Sequence, residues 1–220
     1  MRLALHGYWR SSCTWRVRIA LHAKGLDYET VPVHLLRDGG EQKAAAHRAL
    51  NPAAQVPVLV VDGEPIVQSL AILRFLEDVA PTPALLPTDP LRRAHAIAIA
   101  EQINAGTQPL QNLSVLSAVD ALAGAPAGDT SARKAWAQRF IRDGLAAVEG
   151  MVARHGGAFC VGDAPSWADL ALVPQLYNAR RFGVDLAPLP RLLEVESRCA
   201  TLPAFVAARP EHQPDAELDA

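Results

Sequence analysis

Residues 56–76 read VPVLVVDGEPIVQSLAILRFL, two short apolar runs joined through Asp62-Gly63 and followed at once by a helical pattern. Aspartate-glycine between such runs is a strong hairpin signal, because both residues tolerate the positive φ that a tight two-residue turn demands. Ser69 then opens a segment in which Ile72, Leu73, Leu76 and Val79 fall on one helical face, and the serine is placed to cap it. The stretch predicts two antiparallel strands and a helix.

The preceding residues follow the same grammar. Leu3 and Leu5 alternate with polar neighbours, Gly7 ends that run, and WRSSCTWRVRIAL at 9–21 starts a helix that closes near Lys24-Gly25. Val31, Val33 and Leu35 alternate again, with Pro32 marking an edge strand, and a polar, alanine-rich helical stretch covers 41–50. The order is β-α-β-α-β-β-α. Beyond Pro81-Thr82-Pro83 apolar positions recur at helical spacing almost to the end, and no convincing strand appears. The expected organisation is a first domain over residues 1–81, a proline-rich linker over 82–89 and an all-helical domain over 90–220. Trp136, Phe140, Val148, Met151 and Val152 suit a long amphipathic helix ending at Gly156-Gly157. In PSWADLALVP, at 165–174, Ser166 and Asp169 have capping-box spacing, which makes that carboxylate structural.

Half of the 220 residues are hydrophobic, enough for a sizeable core, and the formal net charge of -2 gives no electrostatic footprint for nucleic acid. No lysine/arginine block marks a membrane-surface patch, no apolar leader follows a basic start, and no run approaches the roughly 18 apolar residues of a membrane span. The expectation is a cytoplasmic protein that handles small molecules, without nucleic-acid or membrane partners. Cys13, Cys160 and Cys199 are too scattered for a disulfide framework or a zinc site, and no histidine pair has ligand spacing, so no metal is expected.

Three places point to a ligand. Ser11, Ser12 and Cys13 lie on the first βα turn, at the positive end of a helix dipole. Serine there is a good N-cap, but the same place favours a bound thiolate. Lowering a thiol pKa by about two units requires roughly 2.7 kcal/mol, within reach of one hydroxyl hydrogen bond plus the dipole. Arg16 and Arg18 oppose that dipole, and with Arg10 nearby they suggest an anionic ligand. In QVPVL, Val56 precedes proline and is held extended; with a cis Val56–Pro57 bond it would offer its N–H and C=O to an extended peptide. Gln68-Ser69 at the next helix start can receive a carboxylate. Farther on, Asn104, Thr107, Gln108, Gln111 and Asn112 form a polar concentration beside Pro109, which should kink or break its helix.

With SSCTWRVRIAL, DYETVPVHL, LNPAAQVPVL, QSLAILRFLE, QPLQNLSVL, CVGDAP and LVPQLYNARRFGVDL, the chain resembles zeta-class glutathione transferases of the maleylacetoacetate isomerase type over nearly its whole length. That resemblance implies an α/β plus all-α protein with the glutathione transferase fold: a thioredoxin-like N-terminal domain that binds glutathione, an all-helical C-terminal domain over the electrophile, and a homodimer. It places Ser11 at the glutathione sulfur with Ser12 and Cys13 beside it. Gln42, Val56, Gln68 and Ser69 would hold the tripeptide, and Gln108, Asn112 and Ser114 would add a polar patch from the second domain. Arg181, with Arg10 or Arg16, would meet the carboxylates of a dicarboxylate substrate. The activity implied is glutathione-dependent cis–trans isomerisation of maleylacetoacetate or maleylpyruvate, in aromatic amino acid or gentisate breakdown. The rivals are a transferase that consumes glutathione in conjugating or dehalogenating small electrophiles, a monothiol oxidoreductase using Cys13, and a catalytically silent protein on the same fold.

Overall fold

The computed structural model describes residues 1–217; the last three residues of the expected 90–220 domain lie outside them. The chain divides into two compact units. One comprises Met1–Leu85 together with the residues from Ala200 onward, and the other is Leu86–Cys199.

The first unit runs β1 (Leu3–Gly7), α1 (Ser12–Ala23), β2 (Glu29–Pro32), α2 (Ala45–Leu50), β3 (Val58–Val61), β4 (Glu64–Val67) and α3 (Ser69–Val79). Its four strands lie in the order β2-β1-β3-β4, with β1 parallel to β2 and antiparallel to β3, and β3 antiparallel to β4. A parallel β1–β2 pair needs a long crossover, which α1 supplies, whereas β3 and β4 are joined by two residues. Both turn residues take the positive φ that the hairpin signal predicted, Asp62 at 50° and Gly63 at 99°. Pro32 lies on the edge strand, where its missing N–H costs no ladder bond.

Leu3 and Leu5 of β1, Val58 and Leu59 of β3, and Ile72, Leu73 and Leu76 of α3 are buried in this unit's core. Gly7 lets β1 meet α1, because a Cβ there would come within 2.3 Å of Thr14 Cγ2. Two expectations for α3 are corrected. Val79, assigned to the buried face, is 43% exposed. The last turn is fixed instead by polar contacts: the fully buried Lys24 side chain lies 3.2 Å from Glu77 and donates to the carbonyls of Ala80 and Pro83. Ser69 is the first helical residue rather than the cap; Gln68 holds the cap position.

The second unit is helical: α4 (Pro90–Asn104), α5 (Leu113–Leu122), α6 (Ser131–His155), α7 (Trp167–Arg181) and α8 (Pro190–Cys199). Asp89 caps α4 by accepting from the Arg92 N–H at 2.8 Å, with Pro90 at its first turn. Helix α7 is the central element, buried continuously from Trp167 to Leu176, and α4 and α8 pack on it. The long helix α6 buries Ala137, Ile141, Leu145, Val148 and Val152. Trp136 and Phe140 therefore flank the buried face rather than lie on it, and the Trp136 indole donates to the Leu110 carbonyl at 2.9 Å. After α8, α9 (Pro203–Ala207) belongs to the first unit and packs on α1. No helix among the described residues is long and apolar enough to cross a membrane.

The capping box at α7 is formed, and Asp169 does more than cap. It accepts from the Ser166 N–H (2.8 Å), the Ser166 hydroxyl (2.9 Å) and the Cys160 N–H (2.9 Å), with no exposed surface. Burial nevertheless outweighs those bonds and lifts its carboxyl above the usual range. Asp169→Ala should leave these donors unpaired and cost about 3 kcal/mol, a fall in Tm of roughly 6–12 °C by thermal unfolding.

Candidate active site

At the start of α1, Ser11 is the N-cap with extended backbone, and its Oγ accepts from the Thr14 N–H at 3.3 Å. Its own N–H closes a turn onto the Tyr8 carbonyl at 3.0 Å. A hydroxyl can accept and donate together, so capping α1 leaves the Ser11 proton available to an anion; the two readings of this serine are compatible. Ser11, Ser12 and Cys13 are all half-exposed, and the first turn holds no acidic residue that would compete for its N–H groups. Arg10 lies over the Trp9 ring, its guanidinium carbon 5.0 Å from the centroid. Of the three thiols Cys13 alone is not buried, while burial pushes those of Cys160 and Cys199 well above the ordinary range.

The start of α3 is a second concentrated site. Gln68 has φ 69° and ψ 116°, a conformation costly for a residue with a side chain, by about 1–3 kcal/mol. Strain of that kind persists where surrounding structure fixes it, and here it precedes a buried Ser69. Arg16, expected at the substrate, has no exposed surface, and its Nη1 donates to Ser69 Oγ at 3.4 Å. It stands behind the serine, inside the fold, because α1 buries that face.

Two further predicted residues belong to the same unit, Gln42 in a 3-10 turn over Glu41–Lys43 and Val56 in the loop before β3. Gln42 is buried; its Nε2 donates to the Leu35 carbonyl at 3.5 Å, and its Oε1 has no hydrogen-bond partner among the described residues. Val56 is half-exposed just before β3, and the Val56–Pro57 peptide is cis. The preceding Gln55 carbonyl is held by the Asn51 amide and by His47 Nε2, each at 2.9 Å. These two anchors escaped the sequence reading. Asn51-Pro52 was a visible turn signal for the first; buried His47 had none.

In the second unit α4 stops at Asn104, and a 3-10 turn over Gln108–Gln111 carries Pro109, the break that proline predicts. The polar run divides there. Thr107, Gln108 and Gln111 are buried, whereas Asn112 and Ser114 are exposed. Gln111 Nε2 donates to Gln175 Oε1 at 2.8 Å, the Asn178 amide donates to Gln111 Oε1, and Arg181 Nη1 donates to Asn178 Oδ1 at 2.9 Å. The result is a directional chain of amides from the fully buried Gln175 to the exposed Arg181. Gln175 and Asn178 are its unforeseen members, although their three-residue spacing ahead of Arg181 puts all three near one helix face. Arg180 points elsewhere and pairs through both guanidinium nitrogens with Glu196 at 2.6 and 2.5 Å, a hydrogen-bonded partnership that raises its pKa.

Two family models match the chain: the glutathione S-transferase N-terminal domain over residues 10–79 and its C-terminal domain over residues 115–205. A maleylacetoacetate isomerase of Mus musculus is 47% identical over 211 residues, 96% of this chain and 94% of its own. The crystal structure of a maleylacetoacetate isomerase from Anaeromyxobacter dehalogenans 2CP-1 with glutathione bound in its active site superposes with a TM-score of 0.87. It is 50% identical and covers 98% of each chain. That protein has also been solved with dicarboxyethyl glutathione and citrate in the active site. The holo structure of maleyl pyruvate isomerase, a bacterial zeta-class glutathione S-transferase, gives a TM-score of 0.92 at 39% identity, over 97% of this chain and all of its own.

Gln111→Ala would break the amide chain in two places and leave the fully buried Gln175 oxygen without its hydrogen-bond donor. The expected loss is about 1–3 kcal/mol of stability, read as a lower denaturation midpoint in urea with an unchanged slope.

Proposed function

We propose, from the premise that this chain belongs to the glutathione S-transferase family, that it is a glutathione-dependent cis–trans isomerase of maleylacetoacetate or maleylpyruvate. The observation that carries this reading is a half-exposed Ser11 hydroxyl at the N-terminus of α1, in a chain half identical over nearly its full length to an isomerase solved with glutathione.

The residues present suit the tripeptide. Gln42 offers a buried oxygen still able to accept an N–H, Val56 a half-exposed main chain beside β3, and strained Gln68 with Ser69 an anion site at the positive end of α3. Arg16 supports that end from inside, holding the Ser69 oxygen and adding positive potential for a carboxylate. Glutathione, when bound, would supply a thiolate whose reversible addition makes the conjugated double bond single and free to rotate; expulsion of the thiolate re-forms that bond as trans and regenerates glutathione. The task of Ser11 is to donate a hydrogen bond from its hydroxyl to that sulfur while the Thr14 N–H keeps the hydroxyl aimed; the N-terminal end of the α1 dipole favours the anion over the thiol. Ser12 and Cys13, beside it, complete the turn. Within the second unit, Gln108, Asn112 and Ser114 are the polar side chains this reading assigns to ligand binding. Arg181, directed by Asn178, is the second unit's candidate for binding a substrate carboxylate through its planar fork, and Arg10 is the first unit's candidate cation. The carboxylate-bearing ligands of the related isomerase, dicarboxyethyl glutathione and citrate, support that assignment. The same reading makes the protein a cytoplasmic homodimer.

The deciding assay supplies each cis diketo acid in large excess over glutathione and follows product and free thiol together. Many turnovers per glutathione at a constant thiol titre are expected. A one-to-one loss of thiol selects conjugation or dehalogenation instead. Ser11→Ala should lower turnover about thirtyfold, the equivalent of one charge-assisted hydrogen bond of about 2 kcal/mol, and Cys13→Ala much less. Loss confined to Cys13→Ala would move the chemistry to that thiol.

A further inference from the structure

Trp9 sits inside the turn that Ser11 closes, and distant parts of the chain hold both sides of it. Its N–H donates to Asp215 Oδ2 at 3.1 Å, and its carbonyl accepts from Arg18 Nη2 at 2.7 Å. The same guanidinium donates through Nε to the Ala208 carbonyl at 3.2 Å. Burial draws the Arg18 pKa down to about 10 against the opposing pull of Tyr28, Asp215 and Glu211, so it stays charged at neutral pH.

The loop ahead of Gln42 is held by the same segment. His34 Nδ1 accepts from the N–H groups of Leu36 (3.2 Å) and Arg37 (2.7 Å), which places its proton on Nε2. That nitrogen donates to Glu217 Oε2 at 3.2 Å, and Arg37 donates to the other carboxylate oxygen at 2.7 Å. The loop is closed by Glu41, whose side chain accepts from the His34 N–H at 2.6 Å and whose own N–H donates to the His34 carbonyl at 2.8 Å. The Tyr8 ring meets both Trp9 and His34 edge-on, at 5.8 and 5.1 Å between centroids, so the two loops share a wall.

We propose that residues 208–217 are a positioning segment for the glutathione site: Asp215, through the Trp9 N–H, sets the turn that aims the Ser11 hydroxyl, and Glu217, through His34 and Arg37, sets the loop that carries Gln42. The inference rests on the reading of Ser11 and Gln42 as glutathione contacts. A turn peptide held on one side only can rotate, and rotating the 8–11 turn swings the donor at its end away from its line. Stabilisation of a thiolate falls steeply with that misalignment. Asp215 and Glu217 act through other residues and are positioning groups.

The test titrates the ultraviolet absorbance of enzyme-bound glutathione thiolate against pH and measures glutathione affinity by calorimetry. Asp215→Ala should raise the bound thiol pKa by about one unit, a tenfold loss of thiolate preference. Asp215→Asn, which keeps an acceptor for the Trp9 N–H, should restore most of it. Hydrogen exchange without glutathione should show the Trp9 and Ser11 amides loosened in the alanine variant alone. Glu217→Ala, made at a half-exposed side chain the fold does not bury, should weaken glutathione binding about threefold with the thiol pKa unmoved, and it reads the proposal even if Asp215→Ala fails to fold. An unshifted thiol pKa in a folded Asp215→Ala protein, an asparagine variant as impaired as the alanine one, or unaltered affinity in Glu217→Ala would each overturn the proposal. Ser11→Ala runs in parallel. If it too leaves the thiol pKa unmoved, the reading of Ser11 falls and this inference with it; if it shifts the pKa and Asp215→Ala does not, this inference alone falls.

Discussion

Helix α1 buries eight consecutive residues, Thr14 to Leu21, and two of them are arginines. A guanidinium removed from water must find hydrogen-bond acceptors or the helix cannot stay where it is. Arg16 finds Ser69 at the start of α3, and Arg18 finds the carbonyls of Trp9 and Ala208. Those partners fix the two helix starts and the turn before Ser11 with respect to one another. Bonding two buried guanidiniums thus sets the geometry on which the proposed anion binding would rely, and arginines that look misplaced on a helix wheel become the reason these helix starts have a defined arrangement.

The second unit solves a similar problem without charge. Gln111 and Asn178 each accept through an amide oxygen and donate through an amide nitrogen, Gln175 accepts through its amide oxygen at the buried end, and the chain ends on the exposed Arg181. Neighbouring Arg180 is occupied by Glu196. Two adjacent arginines on one helix are thereby given separate duties by what stands opposite each of them, a distinction that their identical chemistry cannot make.

Much of the fold was legible because it is written locally. Alternation gave the strands, Asp62-Gly63 the hairpin, Pro109 the break after α4, and Ser166 with Asp169 the cap of α7. Positions at which the reading slipped depend on distant partners. Val79 follows the helical period yet lies outside the core, because the end of α3 is fixed by Lys24. Arg16 belongs to a motif beside the site and still faces inward. His47 holds the Gln55 carbonyl with no periodicity to announce it. The return of the chain from Ala200 to the first unit likewise leaves no local trace, since only the contacts of α9 with α1 and of Ala208 with Arg18 reveal it.

That return has a consequence for biosynthesis. Trp9 and Ser11 leave the ribosome about two hundred residues ahead of Asp215, an interval of roughly ten to forty seconds at ordinary elongation rates. During it the sheet, α1 and α3 can already assemble, but the peptide before Ser11 has only part of its support. If Ser11 binds the thiolate as proposed, a nascent chain would hold a folded scaffold with an unfinished anion site, and competence to recruit a thiol would arrive late in the life of each molecule.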